Sequence, residues 1–146
     1  MPAGDLITGD YQVELGSVLI GMTGRWIAPP GVAGLGVPTP KSADVDLQQA
    51  AGAYGSPDWA AQRTVTVPVL IDGTTGAGAY ALFAPMVAAW SPSTIDVELH
   101  LQLPGFGHVK LIGRPRGLSE DLSLLPEGII NCLATFVGLK PALVAV

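Results

Sequence analysis

Ile95-Asp96-Val97-Glu98-Leu99-His100-Leu101-Gln102-Leu103 alternates without a break, the aliphatic residues on one face and Asp96, Glu98, His100 and Gln102 on the other. A period of two over this length is the pattern of a half-buried β-strand. Pro104-Gly105-Phe106-Gly107 follows and reads as a hairpin connection into a second strand from His108 to about Arg114. An antiparallel pair with one apolar face is therefore the seed of the fold, and a mainly β architecture follows from it.

The same reasoning extends outward. From Arg63 to Asp72, Val65, Val67, Val69 and Ile71 share one face, and Thr64, Thr66, Pro68 and Leu70 the other. Pro68 cannot donate to a ladder, which predicts a sheet edge or a bulge. Tyr11 to Met22 holds β-formers on both sides of Gly16-Ser17 and predicts an opening hairpin. Gly128 to Gly138 is apolar on both faces, as expected of a strand covered on both sides. The helical spacing of Ala79, Leu82, Phe83, Met86 and Trp90 predicts one helix over 77–90, closed by Ser91-Pro92, with Pro85 either kinking it or starting a second helical turn. Between Ala28 and Pro57 the composition shifts to Pro, Gly, Ala and Ser. About thirty residues without periodicity is long for a loop, and such loops are functional or ordered by a partner. Roughly six or seven strands and one helix make a β-sandwich or split barrel, two packed antiparallel sheets with a flanking helix.

The chain has 146 residues, 49 % of them apolar, which predicts one domain over 1–146 with a core that needs no cross-links. Charged residues make up only 13 %, against a typical ~25 %, so partner subunits are expected to cover part of the surface. A net charge of −5 has the wrong sign for affinity based on neutralising phosphates, and specific nucleic-acid binding is not expected. Mean hydropathy is +0.45, but the apolar residues fall in short runs, none long enough to span a bilayer. The first residues lack the basic and apolar regions of a secretory signal, so synthesis in the cytoplasm is expected. Cys132 is the only cysteine, which excludes an intrachain disulfide; its apolar surroundings predict a small buried hydrophobe.

Motifs with chemical meaning are few. Gly76-Ala77-Gly78-Ala79-Tyr80-Ala81 satisfies G-x-G-x-x-A after a predicted strand, with Asp96 about twenty residues on. The preceding strand alternates and holds Pro68, Asp96 opens its strand, and no further βαβ unit follows, so a glycine turn into the helix is the better reading. Gly73 and Gly78 have phosphate-loop spacing, but Ala79-Tyr80 stands where lysine and Ser/Thr are needed. His100 and His108 face each other across the predicted hairpin, with Asp96 or Glu98 as oxygen ligands, but a third well-placed ligand is not evident and no metal site is assigned. Asp44 and Asp46 share a face of a loop and read as solvated carboxylates. No nucleophile, zinc-protease or Cys/His signature is present, so neither an enzyme nor a cofactor is expected. Arg114-Pro115-Arg116 reads as a salt-bridging corner or a subunit contact.

The order of features carries a resemblance. Gly52-Ala53-Tyr54-Gly55-Ser56-Pro57-Asp58 leads to Arg63-Thr64-Val65-Thr66-Val67, a glycine turn, one helix, Leu99 to Gly105 and Gly113-Arg114-Pro115-Arg116. This layout resembles the N-terminal domain of distal tail proteins, also called minor tail proteins, of long-tailed actinobacterial phages. The resemblance implies a tail-tube-like fold and a virion protein of the tail. It also implies a hexameric ring of copies of itself joining the tail tube to baseplate or tail-tip proteins, with a channel for DNA. Many members continue after an Asp-Pro into a carbohydrate-binding-like domain. Here Lys140-Pro141 stands at that point, so receptor binding is not carried over. Within such a ring Asp96 and Glu98 are candidates to face an acidic lumen. Arg63, Pro68, Arg114 and Arg116 are candidate subunit contacts, and the 28–57 segment a candidate arm to a neighbour. Two other readings remain: a major tail tube subunit of the same fold, and a small monomeric β-sandwich binding module presenting Trp26 and Trp59.

Overall fold

The computed structural model describes residues 2–38 and 60–146 in full and 40–41, 45–46, 53–54 and 59 by their backbone. Its first elements are β1 (Gln12–Leu15), β2 (Val18–Ile20) and β3 (Arg25–Ile27). Two short ladders follow, β4 (Pro40–Lys41) with β7 (Trp59–Ala60) and β5 (Val45–Asp46) with β6 (Ala53–Tyr54). The remainder is β8 (Arg63–Asp72), helix α1 (Gly76–Ala89), β9 (Val97–Leu103), β10 (Gly107–Asp121), a 3-10 turn at Leu125–Glu127 and β11 (Ile129–Ala145). The expected 28–57 arm lies largely outside the described residues, as do the side chains of Asp44, Asp46 and Trp59.

Seven strands form one sheet in the order β2-β1-β9-β10-β11-β8-β3, and every pairing in it is antiparallel. The two ends of that order meet at a tight connection, where the Gly21 N–H donates to the Arg25 carbonyl at 2.7 Å. The result is a nearly closed barrel, so of the two forms anticipated it is the split barrel that is realised. Alternation places Val65, Val67, Val69 and Ile71 of β8 inside, facing Leu99, Leu101, Leu111, Ile130 and Phe136.

β9 begins at Val97, two residues later than the pattern indicates; Ile95 lies outside it and is exposed. β10 and β11 are much longer than predicted, and they bend together. Their ladder slips between Lys110 and Ile112, between Ile112 and Gly113, and again between Pro115 and Gly117. At the second slip Gly113 stands opposite Gly138, where a side chain would run into the Val137 carbonyl. Glycine is required there by the close approach of the two backbones, and the bulges turn both strands around the barrel.

β11 corrects one expectation: its faces alternate. Ile130, Cys132, Ala134 and Phe136 are buried, while Asn131 and Leu133 face outward and are exposed. Burial pushes the Cys132 thiol up to about 11, which fits an inert packing residue. Pro68 is also revised. β8 lies between β11 and β3, not at an edge, and its ladder with β11 runs unbroken past Leu133↔Pro68. β3 ends opposite Val69, and the Pro68 carbonyl accepts from Ala28 N–H at 2.9 Å, so the imide falls where the neighbouring strand has just stopped.

Helix α1 packs Ala79, Phe83 and Met86 onto the barrel. It passes through Pro85 without ending, because Pro85 and Ala81 both face solvent and water can reach the carbonyl that proline leaves without a donor. Thr75 caps its start, the hydroxyl accepting from Gly78 N–H at 3.0 Å. Thr75→Ala is expected to lower stability by about 1 kcal/mol, read by urea unfolding. An unchanged midpoint would mean that the cap does not hold the helix.

Candidate functional site

The glycine turn before α1 is closed. A side chain on Gly73 would collide with the backbone of Gly78 and Ala79, and one on Gly78 with the Gly73 carbonyl. Gly73 N–H donates to the Gly128 carbonyl, tying the turn to the start of β11. These glycines let the chain pack against its own helix, and the turn has no open cradle for a pyrophosphate.

The sequence-predicted residues gather mainly on the outer face of β9 and β10. Asp96 Oδ1 accepts from Arg114 Nε at 3.1 Å, and Glu98 Oε1 accepts from Lys110 Nζ at 3.0 Å. Both lumen candidates are thus on the barrel exterior and both are ion-paired, which removes much of the bare negative charge expected of them. His100 and Lys110 hold the Glu98 carboxyl below its ordinary range. Arg116 is exposed and, among the described residues, forms no ion pair, so it remains free for a contact.

Arg63 is different. Its guanidinium is buried and donates to the carbonyls of Pro141, Gly34 and Gly36, joining β8, β11 and the segment after β3. Its donors serve the chain's own backbone, so a role as a surface contact does not fit the geometry.

Sequence reasoning missed two features. The first is a pair of open edges. β9 stops pairing at Gly113 and β8 at Gly138, so among the described residues Arg114–Asp121 of β10 and Leu139–Ala145 of β11 pair only with each other's strand. Exposed Leu133, Leu139 and Val144 lie along the outer side of β11. Unpaired backbone beside apolar side chains is what a sheet presents to another chain. The hairpin Pro-Gly motif marked where β10 starts but not how far it runs.

The second is the covering of the outer face by residues 2–10. Glu14 is 2 % exposed and accepts from Gly4 N–H at 2.8 Å and Leu6 N–H at 3.0 Å. Gln12 accepts from Thr8 and Gly9 N–H. Beneath that cover His100 Nδ1 stands 3.0 Å from His108 Nε2, and His100 Nε2 stands 2.9 Å from Glu98 Oε2. The predicted histidine approach is real. Among the described residues, however, no group of three or more His, Cys, Asp or Glu is placed to hold a metal. A polar Gln-x-Glu alternating with Val13 and Leu15 was the available signal for a buried outer face.

Among the described residues, a mainly β split barrel with one helix and two open strand edges defines an architectural class. Solved structures share this fold. The fold is similar to the Dit protein (gp 19.1) of phage SPP1, described as a paradigm of the hub adsorption apparatus in phages infecting Gram-positive bacteria. The TM-score is 0.60 at 13 % identity, over 79 % of this chain and 45 % of that one. It is also similar to chains of the phage p2 baseplate in its activated conformation, with strontium (TM-score 0.64) and with calcium (0.63). Each is 14 % identical over 89 % of this chain and 44 % of the other. The chain thus spans less than half the length of these neighbours. No protein-family model and no curated protein matches it.

Proposed function

We propose that this chain is a structural, non-enzymatic virion protein of a phage tail. In this reading it is a distal tail component that assembles copies of itself into a ring, hexameric by the resemblance, between tail tube and baseplate or tail tip. The observation that carries the proposal is the match of 79–89 % of the chain to phage hub and baseplate chains at TM-scores of 0.60–0.64. The two open edges support it, since a head-to-tail contact that closes on itself pairs one edge of each copy with the other edge of the next. Arg116 and the apolar side of β11 are the contact residues of this reading, with Arg114 beside them. The unequal charge remains available to a channel that must pass DNA without holding it, although Asp96 and Glu98 contribute little to it while paired.

Electron microscopy of the purified chain, with antibody labelling of virions, tests this. Rings in isolation and label confined to the junction of tube and tip are the expected results. Label along the whole tube would replace the distal role with that of a tube subunit. A monomer at every concentration together with unlabelled virions would overturn the tail assignment.

A further inference from the structure

The histidine pair lies under the N-terminal segment, and the contacts there are specific. Gly4 is buried at a φ of +93°, and a side chain on it would strike His100 Nδ1 and crowd His108 Cε1. Its N–H, with that of Leu6, ends on Glu14, the residue directly opposite His100 in the ladder. We infer that residues 2–10 form an acid-releasable strap, latched over the outer face of β1, β9 and β10 by the His100–His108 contact.

The proton count makes the latch directional. His100 Nε2 donates to the Glu98 carboxylate, so Nδ1 is free to accept the His108 Nε2 proton. That contact tolerates one proton between the rings. With both rings doubly protonated, two N–H groups would point at each other across 3.0 Å, and the contact must open. Gly4 rests on both rings, so it cannot stay seated when they part.

Several charges face the pair. Glu98 lies on β9 with His100, and Lys110 is opposite it on β10. Glu14 faces it from β1, and Asp5 and Asp10 belong to the strap itself, where Asp10 accepts from Gln102. The Val146 N–H donates to the His108 carbonyl from the end of β11 and brings no side-chain charge to the pair. Burial, and then the charge of His100, lower the His108 pKa, against a smaller opposite effect of Glu14. The sign follows. A base whose pKa is lowered in the strapped state stabilises that state fully above about 6.5, the free histidine value. The contribution is lost as pH falls below it. His100 and Lys110 hold the Glu98 carboxyl below its ordinary range, so Glu98 keeps its charge through this window.

Amide hydrogen exchange, followed by NMR at pH 7.5 and 5.0 and expressed as protection factors, reads the strap directly. The Gly4, Leu6, Thr8 and Gly9 amides are expected to lose at least tenfold protection at pH 5.0 while Leu99 and Leu101 keep theirs. His108→Gln, which keeps a donor toward His100 but cannot titrate, is expected to hold strap protection constant between the two pH values. Equal protection in the parent chain at both pH values, or the same loss in His108→Gln, would overturn the latch. Should that variant not fold, the ring resonances of the parent chain decide. Two coupled steps, the second well below 6.5, support the latch, and two independent titrations near 6.5 reject it.

Discussion

Phe136→Ala is expected to lower the stability of this chain by about 3–5 kcal/mol, enough to reduce the melting temperature by roughly 10 °C or more. Phe136 is 1 % exposed and has the largest side chain among the fully buried residues. It sits on β11 opposite Val65 on one side and Pro115 on the other, where the long strands have just turned. Truncation removes its transfer free energy and leaves a cavity that a closed sheet collapses onto only partly. Thermal unfolding followed by circular dichroism measures the change. A loss below about 1 kcal/mol would mean that the ring does not fill the barrel.

Arg63→Ala carries the second large effect, a loss of about 3 kcal/mol. Removing the guanidinium deletes three charge-assisted bonds, to the Pro141, Gly34 and Gly36 carbonyls, and with them the tie between β8, β11 and the segment after β3. Water can reach Gly34 and Gly36, so the loss is that of the tie and not of three orphaned carbonyls. Arg63→Lys is expected to recover only part, because an ammonium cannot present two fixed donor edges to segments on different sides. The outcome separates two roles. A surface contact would leave the isolated chain as stable as before and impair assembly alone. An internal clamp lowers the denaturation midpoint of the unassembled chain, and an unchanged midpoint would reject it.

Much of the fold was legible because its determinants are local. The period of two over β8 and β9 predicted which side chains point inward, and Val65, Val67, Val69, Ile71, Leu99 and Leu101 are all buried. Gly16-Ser17 and the Gly76-to-Gly78 turn signalled a hairpin and a helix start within a few residues of chain. The lengths of β10 and β11 were not legible. The register slips twice between Lys110 and Gly113 and once more between Pro115 and Gly117, and past Pro115 the burial of β10 no longer alternates, so no single alternation runs the length of the strand. Leu133 misled for a related reason: an apolar residue on an outer face looks the same in sequence whether the cover comes from the same chain or from another.

The candidate site divides along the same line. Asp96, Glu98, His100 and His108 could be grouped from the hairpin alone, because a two-strand register is set by its turn. Their environment could not. By itself, the sequence determined a mainly β chain with one helix, a closed glycine turn in place of a phosphate loop, and histidines that meet across a hairpin. Only the tertiary structure decided that Arg63 is an internal clamp, that Asp96 and Glu98 are neutralised on the outer wall, and that His100 lies beneath a strap. The first and the last depend on groups far apart in the chain, through segments such as residues 2–10 that have no periodicity to reveal where they dock. The ion pairs of Asp96 and Glu98 depend on side-chain placement across the hairpin that its register alone does not fix.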